Sequence, residues 1–320
     1  MTGSAPMDLS DVLAARQRIA PYLRPTPLYR YPALDALTGA RLWVKHENHQ
    51  PVGAFKVRGG VNLLSQFSED EQRRGVITAS TGNHGQSVAF AAGIFGLRAI
   101  VCVPEGANPV KVESIRALGA EVVFGGRDFD GAREHCEELA AAHGYRYIHS
   151  ANEPALVAGV ATYTLEILQE QLDIEAIVVP IGGGSGASGA CLVAKAVRSS
   201  IEVIGVQAEA SPAAYRSWRA RTLGTAANAT LAEGLATGVA FDLPQRILWR
   251  LLDDFVLVSE DALRAATKVA IEKTRNLVEP AGAAALAAVL GSPERFAGRK
   301  VAIVMSGGNI SPAQLVELWQ

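Results

Sequence analysis

Ala176-Ile177-Val178-Val179-Pro180-Ile181-Gly182-Gly183-Gly184-Ser185-Gly186-Ala187-Ser188-Gly189 runs an apolar, largely β-branched segment straight into a glycine-rich loop. The apolar part predicts a buried strand, and the pattern after the loop predicts a helix beginning near Ala190. A loop between strand and helix turns unpaired backbone N–H groups outward at the positive end of the helix dipole. That arrangement makes an anion site, most often for phosphate. Glycine suits the loop because a side chain would block close approach and because some positions need a positive φ.

The same alternation recurs on both sides of this segment. Short β-branched runs at residues 42–44, 76–79, 99–103, 121–124, 146–148, 176–181, 202–207, 255–258 and 300–305 are separated mostly by helical patterns. Strands alternating with helices imply βαβ units. The expected fold class is therefore α/β, with two parallel-rich sheet domains covered by helices. Residues 76–149 contain compact strand and helix alternations and are expected to form a small domain. It would be inserted into a discontinuous large domain, 1–75 with 150–320, with the ligand in the cleft between them. Residues 281–290 form an alanine-rich helical stretch that should pack closely.

Bulk properties exclude several classes of function. A net charge of -2, from 30 Lys+Arg against 32 Asp+Glu, offers no basic footprint for nucleic acid. Hydrophobic residues make up 49% of the chain but are broken throughout by charge. No run nears the roughly 18 apolar residues of a membrane span. Residues 1–11 lack the basic patch and apolar stretch of a secretory signal, so a cytoplasmic protein is expected. Cys102, Cys136 and Cys191 are odd in number, lack metal-ligand spacing and read as buried thiols.

Gly184, Gly186 and Gly189 also meet the spacing of a dinucleotide fingerprint. Glu209, about 20 residues on, stands where a ribose-binding acid is expected. A nicotinamide-dependent oxidoreductase is thus one reading, but it leaves three other segments without a task. The first is Gly53-Ala54-Phe55-Lys56-Val57-Arg58-Gly59-Gly60. An amine beside an aromatic ring and small residues is suited to desolvation, which lowers its pKa and frees a nucleophilic base. A solvated surface lysine is the alternative. The second, Ser80-Thr81-Gly82-Asn83-His84-Gly85-Gln86, follows a strand and opens a helix, where hydroxyls, an amide and free backbone donors suit a carboxylate or a phenolic oxygen. The third, Ser306-Gly307-Gly308-Asn309, leaves a buried strand with a hydroxyl that needs a partner. Glu279-Pro280-Ala281-Gly282 adds a carboxylate just ahead of a helix, with ordinary helix-start stabilisation as the alternative.

Taken in order, these four segments resemble the pyridoxal-phosphate enzymes of fold type II, the tryptophan-synthase-β class. Within it, the chain is most similar to the threonine/serine dehydratase and serine racemase family, from Pro25-Thr26-Pro27-Leu28 to Ser306-Gly307-Gly308-Asn309. The resemblance implies pyridoxal 5'-phosphate as cofactor, held in the cleft between the domains. It makes Lys56 the Schiff-base lysine that also moves the Cα proton, with Phe55 beside the cofactor. Gly182, Gly183, Gly184, Ser185 and Gly186 become the phosphate cradle, although Ser185 stands where the family has glycine. Asn83 is expected on the phenolic oxygen and Ser306 at the pyridine nitrogen. Ser80, Thr81, Gly82, Asn83 and His84 are expected to hold the substrate carboxylate.

The implied reaction is dehydration and deamination of a β-hydroxy amino acid such as threonine or serine, giving a 2-oxo acid and ammonia. Thr81 matches a catalytic serine of the racemases; its added methyl crowds the site and stiffens χ1, which disfavours racemisation. The stretch from Gln207 to Trp218 is closer to relatives acting on phenylserine, 3-hydroxyaspartate or a hydroxyectoine-derived amino acid. Glu209 is its only acid, so no structural cation is expected. About ten residues follow Asn309, so a regulatory domain is not expected there. The resemblance also implies a homodimer.

Overall fold

The computed structural model describes residues 7–320, the side chain of Asp130 excepted; the leader-free reading of residues 1–6 lies outside them. Its strands are β1 (Leu28–Arg30), β2 (Arg41–His46), β3 (Val76–Ala79), β4 (Ala99–Val103), β5 (Glu121–Phe124), β6 (Arg146–Tyr147), β7 (Ala176–Pro180), β8 (Glu202–Ala208), β9 (Asp254–Val258) and β10 (Lys300–Met305). One sheet has the order β1-β2-β10-β7-β8-β9 and the other β5-β4-β3-β6. All pairings are parallel except β1 with β2. The fold is α/β, with two parallel-rich sheets covered by helices.

Each expected strand forms, within a residue or two of its expected bounds. β1 was not expected. It is three residues long, follows Pro25-Thr26-Pro27, and exists only through its antiparallel pairing with β2, so its own sequence has no period to read.

β7 shows why the central strands are continuously apolar. Ile177 and Val179 belong to one core with residues of the helices Pro154–Glu170 and Ser185–Val197. Ala176 and Val178 belong to another core beneath the alanine-rich helix Pro280–Gly291. A strand covered on both faces needs apolar residues at every position. In the second sheet, Val76, Val101 and Val103 share a core with Val57, Val61 and Leu64 of the helix Lys56–Leu64. Ile77, Ala79, Ile100 and Cys102 face Cys136 of the helix Phe129–His143. The helix that begins at Lys56 therefore packs with the second sheet, although it precedes residue 76 in the chain. All three cysteines are buried free thiols.

One boundary differs from expectation. The helix after β7 starts at Ser185 rather than near Ala190, inside the glycine run. Glycine costs helix propensity, but Gly186 and Gly189 are buried, and a Cβ on Gly189 would lie 2.8 Å from Ala161 Cα. The close approach of two helices outweighs local propensity here.

Candidate active site

The carboxyl ends of β3, β7 and β10 lead into the Ser80, Gly182 and Ser306 segments, at the edge where α/β sheets bind ligands. Phe55 N donates to Ser306 O at 3.0 Å, and Ala54 pairs with Gly307 in an isolated antiparallel bridge. The exit of β10 is thus stitched to the start of the lysine helix. Lys56 Nζ lies 5.5 Å from the centre of the Phe55 ring and donates to Ser150 O at 3.2 Å. Burial lowers its pKa to about 8. The Phe55 ring in turn meets the glycine loop: a Cβ on Gly186 would lie 3.1 Å from Tyr163 Oη and 3.3 Å from Phe55 Cε2. Tyr163 Oη donates to Gly186 O at 2.8 Å.

The second loop opens the helix Asn83–Phe95. Ser80 N donates to Cys102 O at 3.1 Å, and Ser80 Oγ accepts from Gly82 N at 3.2 Å. Thr81 and Gly82 are half-buried. No side chain caps this helix, so its first-turn N–H groups remain for a ligand. Asn83 Nδ2 donates to Glu279 Oε1 at 2.6 Å, and Asn83 Oδ1 accepts from Asn309 Nδ2 at 2.7 Å. His84 is buried, with Nε2 3.3 Å from Ile148 O and Nδ1 without a hydrogen-bond partner. Burial first, then the charge of Lys56, lowers its pKa to about 3, so the ring is neutral. The carbonyl can only accept, which puts the proton on Nε2 and leaves the Nδ1 lone pair bare.

The glycine loop fits a phosphate. Ser185 Oγ is buried and unpartnered, and no side chain caps the helix it begins. Gly184 has φ +91, and a Cβ on Gly182 would lie 2.2 Å from Gly234 O. Free donors in a cradle that side chains would fill are what a phosphate needs.

Several contributors to this cluster had no signal in the sequence. Ser150 acts through its carbonyl. His149 accepts at Nδ1 from Ala151 N at 3.0 Å and Asn152 N at 2.9 Å, which shapes the loop carrying Ser150. Its ring stands edge-on to Phe241 at 4.8 Å. Glu279 is buried against Asn83 and does not serve as a helix cap. Tyr215 and Trp218, of the stretch from Gln207 to Trp218, pack edge-on against Phe255 in the core.

A family model described as pyridoxal-phosphate dependent enzyme matches residues 19–307. An L-threonine ammonia-lyase of Thermotoga maritima is 38% identical over 303 residues, covering 94% of this chain and 75% of that protein. A catabolic L-threonine dehydratase of Escherichia coli K12 is 33% identical over 323 residues, 99% of this chain and 98% of that protein. The solved structure of maize serine racemase superposes with a TM-score of 0.91 at 31% identity, covering 97% of this chain and 96% of that one. These matches overturn the nicotinamide reading. Glu209 is exposed at the end of β8, whereas Phe55 brings a lysine to the glycine loop, which a dinucleotide site does not require. With the lysine, the phosphate cradle and the family match all in agreement, the chain belongs to the pyridoxal-phosphate dependent enzymes.

Proposed function

We propose that this chain is a dehydratase, an ammonia-lyase that converts a β-hydroxy amino acid such as serine or threonine to a 2-oxo acid and ammonia. The observation that carries the reading is the convergence on Lys56 of the glycine loop, through Phe55, and of the β10 exit, through Ser306. The threonine-directed relatives support it.

Lys56 anchors the cofactor and moves the proton at substrate Cα, since a pKa of about 8 leaves a usable fraction of neutral amine near neutral pH. When bound, pyridoxal phosphate supplies the electron sink for the pair left at Cα. Gly182, Gly183, Gly184, Ser185 and Gly186 would hold its phosphate, and Ser185 Oγ, otherwise unpaired, would add a donor. Phe55 would pack beside the ring, Asn83 would donate to the phenolic oxygen and Ser306 would face the ring nitrogen. A hydroxyl cannot keep that nitrogen protonated as a carboxylate would, which favours prompt loss of the β-hydroxyl over transamination. Ser80, Thr81, Gly82, Asn83 and His84 hold the substrate carboxylate with the free N–H groups of the helix start. The cleft lies between the sheet β5-β4-β3-β6, with the helix Lys56–Leu64 packed on it, and the rest of the chain. A cytoplasmic homodimer completes the reading, supported by the family resemblance and by three unbridged thiols.

The test is release of 2-oxo acid and ammonia from serine, threonine, phenylserine and 3-hydroxyaspartate, with optical activity followed in parallel. Serine or threonine should turn over, and Lys56→Ala should abolish both turnover and borohydride attachment of the cofactor. Ammonia release undiminished in Lys56→Ala, or racemisation faster than ammonia release, would reject the proposal.

A further inference from the structure

A chain of hydrogen bonds fixes the orientation of the Asn83 amide. It starts at the carbonyl of Val52, which can only accept. Asn309 Nδ2 donates to it at 2.8 Å, so the nitrogen end of that amide is determined by backbone. The same nitrogen donates to Asn83 Oδ1 at 2.7 Å, which turns Asn83 Nδ2 toward Glu279 Oε1 at 2.6 Å. One N–H of Asn83 is then committed to Glu279, and the second is left over.

We propose that Glu279 is a positioning residue: by accepting one N–H of Asn83 it holds the other toward the phenolic oxygen of the cofactor. The proposal rests on the role given to Asn83 above. Several features of the fold accommodate the carboxylate. Glu279 is only 6% exposed, and Glu279 N donates to Gly307 O at 3.2 Å. A Cβ on Gly307 would lie 2.2 Å from Glu279 Oε1 and 3.2 Å from Asn83 Nδ2, so glycine at 307 makes room for both. Burial raises the carboxyl to about 7 against the lowering effects of the Asn83 bond and Lys111, with Glu233 adding a smaller upward push. Lys111, on the helix Pro109–Ala117, pairs with Glu233, so the charges facing Glu279 largely cancel. A carboxyl kept here at this desolvation cost has Asn83 as its one side-chain donor among the described residues.

The experiment compares holoenzymes carrying Glu279→Ala, Glu279→Gln, Asn83→Ala and Asn309→Ala. Its readouts are the visible absorbance and circular dichroism of bound cofactor and the cofactor dissociation constant by equilibrium dialysis, with far-ultraviolet dichroism checking the fold. Glu279→Ala should displace the absorbance maximum in the same direction as Asn83→Ala and weaken cofactor binding about tenfold, the equivalent of one hydrogen bond. Glu279→Gln should restore both, because its carbonyl accepts the same N–H. Asn309→Ala frees the other end of the amide and should shift the spectrum likewise, which keeps the test decisive should Glu279→Ala not fold. A wild-type spectrum in Glu279→Ala or Asn309→Ala, with Asn83→Ala displaced, overturns this inference alone. So does a Gln variant as disturbed as the Ala variant. A wild-type spectrum in Asn83→Ala overturns the reading of Asn83 as well.

Discussion

Lys56 is a base whose charged form is the one burial disfavours, and its pKa falls from 10.5 to about 8. Below that value the neutral amine shrinks about tenfold per pH unit. Capture of pyridoxal phosphate by the apoprotein should therefore slow about tenfold per unit on the acid side and level off above about 8, as followed by stopped-flow absorbance. A rate independent of pH through neutrality would contradict it. Stability has its own sign. Between about 8 and 10.5 the unfolded chain binds this proton more tightly than the folded one, so the contribution of Lys56 to stability rises with pH across that window. His84 and His149 are pushed down to about 3 and about 4, by burial first and then by Lys56, and stay neutral throughout. The lysine, the asparagine and the serine were legible because each sits in a motif. Ser150 was not, because a carbonyl has no residue type to betray it. Glu279 stayed open between two readings, because a carboxylate ahead of a helix looks the same whether it caps the helix or holds an amide.

At the scale of elements, the strand, loop and helix around Gly182 act as one device. The loop is narrow from outside as well as from the ligand side: Gly182 lies against the turn Glu233–Leu235, and Gly184 needs its positive φ. Gly182→Ala would force its Cβ against Gly234 O, a backbone atom that cannot swing aside. The expected cost is about 1–3 kcal/mol of stability, with at least about tenfold weaker cofactor binding as the cradle shifts. Denaturant midpoints and cofactor titration check it against Gly106→Ala, where the added Cβ meets nothing within 4 Å and both should hold. The loop itself was visible as a glycine run after an apolar strand. The early start of its helix was not, because helix Pro154–Glu170, whose packing overrides the glycine propensity, lies in another part of the chain.

Across the whole molecule, a buried ionic cluster holds the lysine helix in place. Arg58, two residues after Lys56, donates to Glu47 at 2.7 and 2.8 Å and to Glu166 at 2.6 and 2.8 Å. Lys45 donates to Glu166 at 2.5 Å and to Thr26 O at 2.7 Å. Arg58, Lys45 and Glu47 are at most 1% exposed. Arg58→Met would leave two carboxylates without their shared guanidinium and should cost about 3–5 kcal/mol. Arg58→Lys should not restore it, because an ammonium cannot make the paired contacts. Urea unfolding measures both, and a midpoint unchanged in Arg58→Met would refute the assignment. None of this cluster was legible beforehand, since its members are spread along the chain from Thr26 to Glu166. The α/β class, the strands other than β1 and the order of the loop segments were written in local hydrophobic period and glycine placement, properties that neighbouring residues settle among themselves. The meeting of Phe55, beside Lys56, with the glycine loop, the Asn83–Glu279 bond and the Arg58 cluster came only with the folded chain. Each joins residues far apart in sequence, and burial gives them their altered chemistry only once the sheets have packed.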